Sequence, residues 1–201
     1  MDDQRSLASL ARSLTISAVA TVVMLLAIPV SVLVPGGQVV SQILTLVWAA
    51  SLVFVAVGAH RLVGRGRSTR LIVTIAGVVG MGVIAIGELV SIVGLSTPLG
   101  VAPFTAPALV LMGLWQVAIS RLTVTEGLLP APVGWVGVAS GVLSAVTYPL
   151  LLIGGFPTTT DPSALSSMSP VTIVAAMLSL LSVPLYAVWA IWAARRLPKP
   201  A

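Results

Sequence analysis

The stretch LIVTIAGVVGMGVIAIGELVSIVGL, residues 71–95, decides the fold. Its 25 residues hold a single charge, Glu88. At about 1.5 Å per residue, a helix of that length crosses the ~30 Å hydrocarbon core of a bilayer. The rest of the chain has the same character. Of its 201 residues, 58% are apolar and 7% charged, and the mean hydropathy is +1.14. A soluble domain carries about 25% charged residues. So few polar groups cannot cover a water-soluble core, and the class is integral membrane.

Six apolar runs fit a crossing of roughly 20 residues each. They fall at Ser13–Val34, Ser41–Ala59, Leu71–Leu95, Ala102–Ser120, Val133–Gly154 and Pro170–Ala194. The expected fold is all-α, a six-helix transmembrane bundle forming one domain over residues 1–201. Ala18-Val19-Ala20 fits a small-x-small cleavage pattern but stands at the start of its apolar run. A signal peptide's apolar region precedes its cleavage site, so the first run reads as a retained helix.

The loops give the orientation. Arg5 and Arg12 precede helix 1; Arg61, Arg65, Arg67 and Arg70 follow helix 2; Arg121 follows helix 4; Arg195, Arg196 and Lys199 follow helix 6. All ten basic residues therefore fall on one side. Basic loops stay cytoplasmic, so both termini are expected inside, in a bacterial inner membrane. This topology accounts for the net charge of +5 without a nucleic-acid partner. The Arg-over-Lys bias fits a high-GC bacterial genome. His60, Arg61, Arg65, Arg67 and Arg70 form a basic band suited to lipid headgroups. Trp115, Trp135, Trp189 and Trp192 are placed as an interfacial belt. Ser169-Pro170 reads as a cap followed by proline at the first helical position. The longest outer loop is FPTTTDPSALSSMS, residues 156–169.

Two helices carry faces of small residues. At about 100° per residue, Gly77, Gly80, Gly87, Gly94, Ser91, Ile84 and Glu88 share roughly a third of helix 3. Helix 5 has Gly134, Gly137, Gly141, Ser144 and Tyr148 in a stripe. Small residues let helices approach closely, and the two faces are candidates to pack on each other. Glu88 lies about 7.5 Å outward of its helix midpoint. Tyr148 and Thr45 match that depth, as do Pro29, Pro107 and Pro149, where proline can break a helix. Glu88, Tyr148, Thr45 and Ser91 therefore form a candidate ligand-binding layer in the outer half. Arg70 is 18 residues from Glu88 along the helix, about 27 Å. With no cation in reach, Glu88 is either a neutral acid or the wet end of a site reached by water or a cation.

Several chemistries are argued against. Cysteine is absent and there is one histidine, so no thiolate metal site, Cys nucleophile or bis-His haem can form. GVASG, residues 137–141, has the look of a serine-protease motif, but His60 is too far along the chain's topology to serve Ser140 as a base. One intramembrane acid cannot make a metal site. The reading is non-enzymatic, with no cofactor and no metal.

The segment LWQVAISRLTVTEGLLPAPVGWVGVASGV, residues 114–142, resembles the inner-loop region of an uncharacterised family of small bacterial multi-pass membrane proteins. That resemblance implies no activity and no site residues. In architecture alone, six helices in about 200 residues with both ends inside resemble the substrate-binding subunits of energy-coupling-factor vitamin transporters. Two functions are open: binding or translocation of a small solute or cation at the layer around Glu88, or a non-catalytic accessory subunit packed through its glycine faces. The partners are the lipid bilayer and either other membrane subunits or further copies of the chain.

Overall fold

In hydrocarbon, an unpartnered backbone N–H or C=O costs several kcal/mol, so an isolated apolar run must satisfy its own hydrogen bonds as a helix. The computed structural model describes residues 2–33, 37–60, 67–155 and 168–197. Arg61, Arg65, the side chain of Arg67 and most of the loop from residue 156 to 169 lie outside the described residues. Six helices follow in order: α1 (Asp2–Leu33), α2 (Gly37–His60), α3 (Arg67–Ile92), α4 (Pro98–Thr125), α5 (Ala131–Gly154) and α6 (Pro170–Arg196). Each is long and apolar enough to cross a membrane.

Two helices exceed their apolar runs the most. α1 starts at Asp2 rather than Ser13, and α4 spans Pro98–Thr125 rather than Ala102–Ser120. Hydropathy marks the part of a helix that needs hydrocarbon, whereas the helix continues as long as the backbone finds no stop signal. Proline does not stop these helices either. Pro29, Pro103, Pro107, Pro149 and Pro184 all lie within continuous helix, so the breaks anticipated at Pro29, Pro107 and Pro149 do not form. Each proline removes one intrahelical bond, and the turns on either side keep theirs.

The ends are set by local chemistry. Ser169 caps α6 as its sequence suggests, accepting from Thr172 N–H at 3.1 Å with Pro170 next in line. The Ser169 and Thr172 hydroxyls each donate to the Gly154 carbonyl at 2.8 Å. These bonds satisfy the end of α5 and tie it to the start of α6. At the end of α3, Gly94 takes φ +76°, while Leu95 N–H reaches Val90 O and Gly94 N–H reaches Ser91 O. This is a Schellman cap, which favours glycine because only glycine takes positive φ without penalty. Gly94 is therefore a stop signal and not part of the packing face.

Each helix packs on the next in sequence, and α6 closes on α1 to complete a ring. The Ser17 and Tyr186 hydroxyls, 2.8 Å apart and buried, bridge that closing seam. The glycine faces of α3 and α5 do not meet, because α4 stands between them. A Cβ on Gly80 would lie 3.0 Å from Ala108 O, and one on Gly77 would lie 2.6 Å from the Trp115 ring, both on α4. Gly87 faces Thr105, and Gly134 faces Ser120 and Val124, again on α4. Gly141 faces Gly113 across the α4–α5 contact, and Gly137 is wedged against Ser120 and Trp189. A helical wheel gives the face that will pack; it does not give the neighbour.

The outside of the ring is strongly apolar, with Leu26, Phe54, Phe104 and Ile153 projecting from it. Toward the end carrying Arg70, Arg121 and Arg195, the inside is filled by Leu10, Leu14, Val55, Ile119, Leu129 and Trp189. The gap left among them is about 20 Å³, room for little more than one water. Trp115 and Trp189 are buried inside the bundle, whereas Trp135 and Trp192 are exposed. The Trp115 and Trp189 indoles abut Gly77 and Gly137, where absent side chains make space for large rings.

Candidate functional site: a central cavity

Above that apolar plug the ring is hollow. A cavity of about 190 Å³ sits at mid-depth, with Trp48 of α2, Met112 of α4, Ser144 of α5 and Val183 of α6 on its wall. These four residues lie within two positions of their helix midpoints. Met24 of α1 and Thr45 of α2 continue the wall, together with Gln116, Ser179, Ser182 and Tyr186. α3 contributes none of the described lining residues.

The polar groups can be accounted for one at a time. The Ser182 hydroxyl donates to Ser179 O at 2.8 Å. Ser140, packed behind the wall, donates to Ser182 O at 2.8 Å. Thr45 donates to Ser41 O one turn back, at 3.0 Å. Tyr186 shares its bond with Ser17. These hydroxyls are spoken for by the protein itself.

Two groups are not. The indole Nε1–H of Trp48 and the amide Nε2 of Gln116 are buried without a partner. Trp48 is 6% exposed and Gln116 1%. The Gln116 Oε1 lies 3.3 Å from the Ser140 hydroxyl. Turning the amide over would only exchange its ends, so either orientation leaves one polar end of Gln116 unmatched. An unsatisfied buried polar group costs about 1–3 kcal/mol. Trp is a donor only, so Trp48, a residue of the cavity wall, lacks an acceptor. Among the described residues no charged one lines the cavity, and an ion placed among them would lose its hydration without compensation.

Of the four residues proposed from the sequence, one is on this wall. Thr45 lines the cavity. Glu88 and Tyr148 are half-buried on α3 and α5 and are not part of the lining. Ser91 is buried near the end of α3, with its hydroxyl 3.5 Å from Ser96 O. Equal depth did not mean a shared azimuth around the ring. Of the wall's other polar members, Ser144 belonged to the helix 5 stripe. Gln116 and Trp48 carried a usable signal that was passed over: donors in apolar runs must find acceptors.

His60 is tied to the chain, with Nδ1 2.8 Å from the Thr74 hydroxyl on α3. That hydroxyl also lies 2.9 Å from Arg70 O. Its single proton serves one of the two, so a Thr74 that donates to Arg70 O accepts from a protonated Nδ1. His60 thus ties the end of α2 to α3.

Comparison with family models, curated proteins and solved structures returns no match. Among the described residues no group of three or more His, Cys, Asp or Glu is gathered as a metal site.

Proposed function

We propose that this chain is a multi-pass membrane protein that binds a small uncharged solute at mid-depth in its ring and passes it across the bilayer. The observation that carries this reading is the pair of unmatched polar groups, Trp48 Nε1 and Gln116, on residues of a cavity whose described lining holds no charge. A cavity near 150 Å³ accepts a molecule the size of benzene, so about 190 Å³ suits a solute of roughly six to ten non-hydrogen atoms. Such a solute carries an acceptor for the Trp48 indole and a polar group for Gln116. The apolar plug serves as the closed gate at the basic end, which faces the cytoplasm by the positive-inside rule. Access is then from the opposite side. Midplane binding between packed helices is the general plan of secondary transporters.

The accessory-subunit alternative loses its stated basis, since Gly77, Gly80, Gly87, Gly134, Gly137 and Gly141 are all occupied by contacts within the chain.

The test is to extract the protein gently from native membranes and identify small molecules released on denaturation by mass spectrometry. Wild type should release one neutral species in near-equal amount to protein, and Ser144→Phe, which fills the hollow, should not. Equal recovery of every small molecule from wild type and Ser144→Phe contradicts the proposal.

A further inference from the structure

A second hollow lies on the outer flank of the ring, at the basic end, between α4 and α5. Its volume is about 260 Å³. Ile119, Thr123 and Leu129 of the same segment face the ring's interior, so Ser120, Arg121 and Val124 face outward into this groove. Opposite them stand Ala131, Gly134 and Trp135 of α5. Gly134 forms a floor without a side chain, and Val124 and Val138 give the groove apolar walls.

The polar groups are arranged at one end. The Arg121 guanidinium lies 5.9 Å from the Trp135 ring centroid, and both side chains are exposed. Among the described residues no carboxylate pairs with Arg121. A guanidinium stacked on an aromatic face keeps its N–H edge free for a planar or tetrahedral oxyanion. Ser120 also lines the groove, but its buried hydroxyl is packed against Gly137 and not into the hollow. An exposed cation therefore borders one apolar slot, beside a tryptophan at the membrane–water boundary.

We infer that this groove seats an anionic phospholipid, with its phosphate on Arg121 and one acyl chain along Val124 and Val138. A free phosphate would gain the cation but nothing from the apolar walls. A lipid matches both parts, and the groove opens where lipid already is. The inference is independent of the central cavity.

The test uses the full chain in mild detergent, incubated with phosphatidylglycerol or phosphatidylcholine and read by native mass spectrometry for retained lipid. Wild type should retain phosphatidylglycerol in preference to phosphatidylcholine. Arg121→Gln should lower that retention roughly fivefold, the worth of one basic residue beside an anionic lipid. Ala131→Trp, which fills the groove without changing charge, should lower it as well, and Arg195→Gln at the exposed end of α6 should not. Retention by Arg121→Gln equal to wild type, equal loss in Arg195→Gln, equal binding of phosphatidylcholine, or displacement of the lipid by inorganic phosphate would each overturn the inference.

Discussion

Replacing Gly141 with alanine should force α4 and α5 apart. The new Cβ would stand 2.6 Å from Gly113 O and 2.9 Å from Val117 N, where ordinary contact begins at 3.4 Å. Both neighbours are helix backbone and cannot swing aside, so the helices must separate by about 0.8 Å, from 3.4 less 2.6. A gap of that size forfeits between a quarter and a half of the local dispersion energy. Overpacking of this kind costs about 1–3 kcal/mol, and alanine's better helix propensity returns at most about 1. The net is a loss of roughly 0–2 kcal/mol. Gly82, on the same kind of helix but facing open space, is the control, because a Cβ there meets nothing within 4 Å. Gly82→Ala should gain up to about 1 kcal/mol from propensity alone. Equilibrium unfolding in mixed micelles, followed by tryptophan fluorescence, compares the two. The ring packing requires Gly141→Ala to be less stable than Gly82→Ala by about 1–3 kcal/mol. Equal stability would refute the close α4–α5 contact.

Three further outcomes follow from named contacts. A double-mutant cycle of Ser17→Ala and Tyr186→Phe should give a coupling near 0.6 kcal/mol, the usual worth of an interhelical hydrogen bond in a membrane, measured by the same unfolding assay. Gly94→Ala should destabilise by about 1–2 kcal/mol through its positive φ although it touches no neighbour, in contrast to Gly82→Ala. Glu88→Gln should leave the solute recovered from the cavity unchanged in mass spectrometry, since Glu88 is not on the wall; loss of the solute would move the site to α3.

The helices were legible in the sequence because apolar length and the spacing of basic loops depend on each segment alone. The Ser169-Pro170 start of α6 was legible for the same reason. Ring closure was not, since a contact between α1 and α6 leaves no periodic trace. The glycines of α3 and α5 announced close packing, but α4 as their shared partner follows from the arrangement of the ring. Gly94 looked like one more member of a stripe, and its role as a cap depends on φ rather than on spacing. At the site, the search for a charge led to Glu88 and away from Gln116 and Trp48, whose need for partners carries no charge to flag it. Depth could be counted from sequence; the inward direction of Thr45, and the absence of Glu88 from the same wall, could not.

The most direct measurement is a high-resolution experimental density map of gently extracted protein, read inside the cavity between Trp48 and Gln116. A bound solute would give connected non-protein density larger than a water, within hydrogen-bonding distance of Trp48 Nε1 and of the Gln116 amide. A cavity closed by rearranged side chains, or occupied only by separate waters, would contradict solute binding there.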